Sequence, residues 1–491
     1  MSAQAVAEEF APVIGLEVHV QLETETKIFC GCSTDTADAE PNSHTCPTCL
    51  GLPGALPVLN EAAVEAAVRL GKALRADVPE RTSFHRKNYF YPDLPKGFQL
   101  TQYDAPVCQN GELEVRVEGR RRTIGITRAH LEEDPGSLQH VGGSIATADY
   151  TLVDYNRAGT PLVEIVTEPD FRSPAETRAF LAKLEEVLEY LGVYDGQRDG
   201  SLRVDANISM VPADDLEGEV AEETLAAANR TEVKNISSHK GAEKALAYEV
   251  TRQRNALQRG REVEQETRHW DESRGITVSM RSKEAEKDYR YFPEADLPPL
   301  EVAHWREELE IPELPDARRE RFREEYGLSA EAASKLTSTK AVADFFEGVA
   351  REYDPALAAS WVADHLLGEL NYRDMELADV ADRFDEFARL VELVAAEEIT
   401  EKNARETVLR EMLDAGRAPD EIVEAEGLGK TSGDAVKSAV EAAVAENPDA
   451  VEDYENGEES ALNFLVGQVM GKSRGSADPG TVNELLRERL D

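Results

Sequence analysis

Several stretches of the chain alternate between apolar and polar residues with a period of two, the pattern of a strand with one face buried. In Leu16–Leu22, Leu16, Val18, Val20 and Leu22 share one face, and Glu17, His19 and Gln21 share the other. In Leu202–Met210, the apolar face is Leu202, Val204, Ala206, Ile208 and Met210, and the polar face is Arg203, Asp205, Asn207 and Ser209. Ile124–Leu131 and Val163–Glu168 also read as strands, the second with Glu164 and Glu168 on one face. A helical pattern starts at Ser173-Pro174-Ala175-Glu176, where Ser is placed to cap, Pro to open the first turn and Glu to close a capping box. It continues through Phe180, Leu184, Val187, Leu188 and Leu191 at core-packing spacing.

On a larger scale the texture changes twice. Residues 1–296 are rich in strand signals with a few helices, up to a Pro-rich stretch from Pro293 to Pro299. Residues 297–418 are helical, rich in Ala, Leu, Glu and Arg, and residues 419–491 form short helices between Gly-containing turns. The expected class is therefore α+β: a strand-rich body, a helical domain and a small helical tail. The acidic run Asp449–Glu459 is expected to be a solvated loop.

Charge changes the picture next. The 491 residues include 54 Lys and Arg against 97 Asp and Glu, a net charge of −43. Self-repulsion on that scale opposes compactness, but at molar salt the Debye length falls to about 3 Å, so a halophile surface is expected, the alternative being an acidic mesophile protein. The acidity does not exclude a nucleic-acid partner, because counterion release contributes little in molar salt. No apolar run reaches the roughly 18 residues of a membrane span, and the acidic start of the chain lacks a signal-peptide core. The expected compartment is cytoplasmic.

Four of the five cysteines cluster as Cys30-x-Cys32 and Cys46-x-x-Cys49. In a reducing compartment, two close thiol pairs suit a tetrahedral structural zinc site with no open position. The alternative is a set of reduced, unliganded thiols. Cys108 stands alone and is expected in a core.

Carboxylates supply the other candidate chemistry: Glu17, the run Glu132-Glu133-Asp134, Glu164, Glu168 and Asp205, with His19 beside them. If their strands share a sheet, they converge on one polar face that suits a nucleotide held through Mg²⁺. With 97 acidic residues, solvated surface is the competing reading for each, and a structural histidine is the competing reading for His19. Arg86-Lys87-Asn88-Tyr89-Phe90-Tyr91-Pro92-Asp93 and Asp288-Tyr289-Arg290-Tyr291-Phe292-Pro293 combine cations with aromatics, a pattern open to either phosphate contact or internal ion pairs. Gly427-Leu428-Gly429-Lys430-Thr431 mimics the end of a phosphate loop, but Glu424 stands where the motif requires Gly. A turn between helices is expected there.

Six motifs, in order, resemble the B subunit of the aspartyl/glutamyl-tRNA amidotransferases. They are Val13–Val20, Arg86–Asp93, Gly125–Asp134, Asn156–Glu164, Gly200–Asn207 and Asp288–Pro293. Val466–Gly471 and Gly475–Asp478 resemble the tail of that family. No stretch accommodates the inserted domain of the related archaeal E subunit. The resemblance implies a glutamine synthetase/guanido kinase-like cradle, a helical domain and a tail that contacts tRNA. It also implies two partners: the amidase, or A subunit, which releases ammonia from glutamine, and the small C subunit.

The implied substrates are ATP and tRNA(Asn) or tRNA(Gln) mischarged with Asp or Glu, whose side-chain carboxylate is phosphorylated and then amidated. By motif match, His19, Glu133 and Glu164 would hold one Mg²⁺, and Glu17 and Asp205 a second, with Asn207 and Arg203 beside them. Lys87 and Lys96 would contact phosphate or line the ammonia route, and Glu133 would meet the ammonia. Members of the family carry Lys after the Glu-Glu-Asp-x-Gly run, where this chain has Ser137. Two other functions remain compatible with the residues: a carboxylate–amine ligase acting on a free small molecule, and a zinc-bearing tRNA scaffold without kinase activity.

Overall fold

The computed structural model describes residues 10–142, 148–198, 200–216, 224, 228–281, 289–429, 433–455, 458–473, 477 and 479–490. The chain divides into two compact units, the first ending at Leu314 and the second beginning at Pro315. The class is α+β.

The first unit contains fifteen described strands: β1 (Phe10–Gln21), β2 (Arg81–Thr82), β3 (His85–Asn88), β4 (Phe98–Thr101), β5 (Cys108–Val117), β6 (Arg120–Glu133), β7 (Ser137–Val141), β8 (Tyr150–Asp154), β9 (Pro161–Thr167), β10 (Leu202–Pro212), β11 (Thr231–Ile236), β12 (Glu266–Asp271), β13 (Ile276–Arg281), β14 (Phe292–Pro293) and β15 (Leu300–Glu301). Eleven of them form one sheet in the order β13-β12-β11-β10-β1-β9-β6-β4-β3-β14, with β5 hydrogen-bonded to β6. All its described pairings are antiparallel except β11 with β12. β15 pairs with β2, and β7 with β8, in two small ribbons.

Alternation explains why the sheet has one apolar face. Leu16, Val18 and Val20 of β1, Val163 and Ile165 of β9, and Val204, Ala206 and Ile208 of β10 all enter a single buried core. Helices Glu61–Ala73, Pro174–Leu191 and His239–Gln258 bury their apolar sides in the same core. The helix predicted from Ser173 is present: the Ser173 hydroxyl accepts from the Glu176 N–H, and Gly192 closes the helix in the left-handed region at φ 65°. The first unit extends past the texture change at 296, because Leu297 and Val302 are buried in its core.

The second unit is helical among its described residues, with two cores. One spans Phe322 to Leu428, and the other joins Val436, Leu462, Leu465, Val482 and Leu486, among others. The expected loop at Asp449–Glu459 is instead mainly helix, Pro448–Glu455, with Glu459 opening the next helix, Glu459–Lys472. Ala450, Val451 and Tyr454 recur at helical spacing and pack on the tail core, and that packing outweighs the local acidity. Gly427 ends helix Pro419–Glu426 at φ 63°, as expected for a turn, while Lys430 and Thr431 lie outside the described residues. So do Asp288 and most of Gly475–Asp478. No helix among the described residues is long and apolar enough to cross a membrane.

Candidate functional site

The polar face of the sheet carries the candidate chemistry, and strand register decides which groups meet. His19 of β1 stands directly opposite Glu164 of β9 and, on its other side, Arg203 of β10. Glu164 in turn stands opposite His130 of β6. Four side chains thus form a row across four strands, the arrangement in which cross-strand neighbours interact. One strand step away, Glu17 of β1 stands opposite Asp205 of β10.

Two clusters follow. In the first, ligand atoms of His19, Glu132 and Glu164 lie within 4.8 Å of one another. Glu164 Oε2 is 3.4 Å from both His19 Nε2 and His130 Nε2, and His130 Nε2 is 3.2 Å from Glu132 Oε1. Burial is the largest single influence and would lower the pKa of each imidazole, but the charges of Glu164 and Glu132 together with the hydrogen bonds to them more than offset it. His19 is held above its usual range, and His130 is pushed up to about 9. Glu164, despite burial, is drawn well below the usual carboxylate range by the same two imidazoles.

In the second cluster, oxygens of Glu17, Asp205 and Glu232 lie within 4.8 Å of one another. Lys234 Nζ reaches Asp205 at 2.5 Å and Glu232 at 3.2 Å. Asn207 Nδ2 donates to Glu17 Oε1 at 3.0 Å. Burial first, then repulsion from Glu164 and Asp205, holds Glu17 above its usual range. Glu232 of β11 stands opposite Asn207 of β10, and alternation puts Lys234 on the same face, beside Asp205; the pairing turns irregular only after Lys234, at Asn235 (φ 66°).

Both donor sets fit divalent cations. An all-oxygen trio suits Mg²⁺, and carboxylates repelling one another without a dication are the state such an ion relieves.

Glu133 is not part of either cluster. Its carboxylate is taken by Lys96 Nζ at 2.5 Å and by the Leu100 N–H at 2.8 Å. Neighbouring residues on a strand face opposite ways, so Glu132 and Glu133 cannot both join His19; the structure places Glu132 there. Lys87 lies 4.0 Å from Glu132 Oε1 and over the Tyr289 ring. Arg203 Nη2 donates to Asp134 Oδ1 at 2.7 Å, and Arg157 Nε lies 3.2 Å from Asp134 Oδ2. Glu168 stands apart, accepting from the Thr127 hydroxyl.

Next to Glu17 the polar face continues into a cavity of about 430 Å³. Val13, Gly15, Val166, Asn229 and Arg230 are among the residues that line it. Asn207 Oδ1 borders it, buried and accepting no hydrogen bond from the described residues.

The sulfurs of Cys30, Cys32, Cys46 and Cys49 lie within 4.8 Å of one another, Cys46 and Cys49 at 3.8 Å. Four thiolates about 2.3 Å from a tetrahedral zinc stand about 3.8 Å apart, so the set fits that ion. The Cys30–Cys49 hydrogen bond is the largest influence drawing Cys49 down to about 4, while that same bond and burial drive Cys30 up. Cys108 is buried, its thiol pushed up to about 12 by burial.

The comparisons with known proteins fall on this same chain. Residues 12–307 match the family described as "GatB/GatE catalytic domain", and residues 344–490 match "GatB domain". The B subunit of an aspartyl/glutamyl-tRNA(Asn/Gln) amidotransferase from Halobacterium salinarum is 75% identical over all of this chain and 99% of its own length. The chain belongs to the family of aspartyl/glutamyl-tRNA(Asn/Gln) amidotransferase B subunits. A member of that family from Natronomonas pharaonis is 74% identical with both chains fully covered, and one from Methanospirillum hungatei is 54% identical over 99% of each.

In this member of the amidotransferase B-subunit family, sequence reading missed His130, Glu132 as partner of His19, Glu232 and Lys234. His130 and Glu132 were findable, since they alternate in step along β6. Glu232 and Lys234 alternate about Val233 on β11, but nothing in the sequence says that β11 pairs with β10.

Proposed function

We propose that this chain is the ATP-using subunit of a glutamine-hydrolysing, tRNA-dependent amidotransferase, and that the two carboxylate clusters are its phosphoryl-transfer site. The observation that carries the reading is the convergence of His19, Glu132 and Glu164, and of Glu17, Asp205 and Glu232, on one sheet face. Glu17, Asp205 and Glu232 would hold one Mg²⁺, and His19, Glu132 and Glu164 another; bound there, the ions neutralise the anions that must approach each other. The cavity lined by Val13, Gly15 and Val166 takes the nucleoside of ATP, and Asn207 Oδ1 is free to accept from it.

The reaction is written on the side-chain carboxylate of Asp-tRNA(Asn) or Glu-tRNA(Gln). A carboxylate oxygen attacks the γ-phosphorus, the bond to the β-phosphate oxygen breaks, and ADP leaves. Ammonia then attacks the acyl carbon, inorganic phosphate leaves, and a proton is released to give the amide. Lys87, next to Glu132, lies where phosphate would gather, and Glu133 with Lys96 marks the entry side for ammonia. Asp134 anchors Arg203 and Arg157 at the same edge. A cradle-like fold in the first unit, which reaches past the expected boundary at 296 to Leu314, then a helical domain to about 418 and a tRNA-contacting tail over 419–491 complete the proposed organisation. The amidase (A) and small (C) subunits are the proposed partners, the cytoplasm of a halophile the setting, and zinc the ion of the four-cysteine knuckle.

The test is reconstitution with the amidase and small subunits in molar KCl, supplied with each mischarged tRNA, glutamine, ATP and Mg²⁺. Amidated tRNA formed only when ATP and Mg²⁺ are present supports the proposal. Amidation of free aspartate with no product on tRNA points to a small-molecule ligase, and tRNA binding without ATP turnover points to a scaffold.

A further inference from the structure

Lys27 is a fully buried lysine that the proposed reaction does not use. Its Nζ donates to the His44 carbonyl at 2.8 Å and the Tyr155 carbonyl at 3.3 Å, and lies 3.8 Å from Cys49 Sγ. No carboxylate among the described residues is in ion-pair reach of it. Carbonyl dipoles alone do not balance a buried cation, because a charge removed from water requires an opposite charge nearby. The nearest group able to carry one is the Cys49 sulfur. Four thiolates around a dication carry a net charge of −2, so the two charges need each other.

The surroundings show what this pairing connects. The knuckle loop is tied to the segment before β9 by several hydrogen bonds. The His44 N–H donates to Asn156 Oδ1 at 2.8 Å, Asn156 Nδ2 to the Glu40 carbonyl at 2.8 Å, and Asn42 Nδ2 to the Val153 carbonyl at 3.1 Å. Gly159, at φ 89°, lies directly on this unit: a Cβ there would meet Lys27 Cδ at 3.5 Å and Cys49 Cβ at 3.6 Å. Its N–H donates to the Asp134 carbonyl, and its carbonyl accepts from the Ile28 N–H. The chain then enters β9, which carries Glu164. Lys27 therefore touches both the cysteine site and the backbone that sets Glu164 and Asp134.

We propose that Lys27 is a positioning residue: its ammonium balances the charge of a metal-loaded four-cysteine site and pins that site to the Tyr155–Thr160 segment that aims the carboxylates of the sheet face. This inference rests on the cysteines forming a metal site. Hydrogen-bonding groups outside the ligand shell tune both the affinity and the electronic character of a metal site.

The test uses the full-length chain in molar KCl, with zinc affinity read by competition against a chromophoric chelator and the thiolate-to-metal charge-transfer band read after cobalt substitution. Two variants are compared with the native protein. Lys27→Met removes the charge and the donors, and Lys27→Gln removes the charge but keeps donors for the carbonyls. The expected result for both is zinc affinity lower by about 10–100-fold and a charge-transfer band moved to lower energy, since the thiolate loses a neighbouring cation. If Lys27→Met fails to fold, Lys27→Gln decides the matter. Affinity and band position unchanged in the folded variants overturn the role of Lys27 while leaving the metal site standing. A native chain that takes up neither zinc nor cobalt overturns the metal site and this inference together, without touching the phosphoryl-transfer reading.

Discussion

In the helical unit, Glu369 sits between Arg373 at 2.6 Å and Arg410 at 2.8 Å, and Glu347 between Arg318 and Arg321. On the sheet face of the first unit, Glu164 sits between two imidazoles, and Glu17 faces Asp205 across a strand pair. The residue types are the same, but the counter-charges differ. Guanidinium groups carry permanent charge and hold a carboxylate in a fixed pair, whereas an imidazole can give up its proton to make way for another cation. Glu347 and Glu369 accordingly lie below the usual carboxylate range through their arginines, while Glu17 lies above it. In a chain with 97 acidic residues, the partner distinguishes Glu347 and Glu369, held by guanidinium groups, from Glu164 and Glu17, although Asp205 and Glu232 beside Glu17 share the ammonium of Lys234.

The largest effect that would break this comparison is on Glu164. Glu164→Gln removes the group shared by His19 and His130, and is expected to lower amidated-tRNA formation on the order of 10³-fold, the upper scale for losing one preorganised charge-stabilising group. Activity within a few-fold of native would remove the sheet face from the mechanism.

The neighbouring pair sharpens the contrast. Glu132→Gln should raise the Mg²⁺ concentration for half-maximal activity. Glu133→Gln should leave that concentration unchanged but strand the buried Lys96 ammonium, at a cost of about 3–5 kcal/mol in denaturant unfolding. The reverse assignment of the two phenotypes would return Glu133 to the metal site.

These two residues also show how far the sequence could be read. Alternation placed Glu17, His19, Asp205 and Asn207 on polar strand faces, and the structure has them there. The motif match carried Glu133 into the ligand set, but the strand β6 runs to Glu133 itself, so the same alternation selects Glu132, in step with His130. Extending the strand by two residues would have made that choice legible. Glu232 and Lys234 were not legible in this way, because their place depends on which strand β11 pairs with, and alternation within β11 does not state that. The acidic stretch at Asp449–Glu459 failed for another reason: charge density was weighed above the helical spacing of Ala450, Val451 and Tyr454.

A smaller effect is expected from pH in the metal-free chain. His130 has its folded pKa raised to about 9, against about 6.5 unfolded. Its contribution to stability is therefore fully present below pH 6.5 and is lost as pH rises towards 9, by up to about 3 kcal/mol. His19 shifts in the same direction. Denaturant unfolding between pH 6.5 and 9 should show this decline in native protein and a flatter curve in His130→Gln. Added Mg²⁺ should also weaken the dependence on pH, because a cation bound beside Glu164 replaces the protons that the imidazoles otherwise keep. A His130→Gln variant with the native slope would mean that the imidazole row does not set the electrostatics of this face.

The smallest effect lies at the surface of the helical unit, where the comparison can be tested against salt. Arg389 forms a fork with Asp420 (Nη2 to Oδ1 2.9 Å) and also reaches Glu392, with the Asp420 side chain more than half exposed. Exposed pairs contribute at most about 1 kcal/mol, and less where the Debye length is about 3 Å. Arg389→Ala should therefore cost under about 1 kcal/mol in dilute buffer and nothing measurable in roughly 3 M KCl, the Debye length there being about 3 Å or less. Glu133→Gln should keep most of its cost at both salt levels, because a buried pair is shielded from the ions that screen the surface. If both costs vanish together in salt, the Lys96–Glu133 pair is accessible to solvent ions, and the distinction between a dry buried pair in the first unit and a wet helical surface fails.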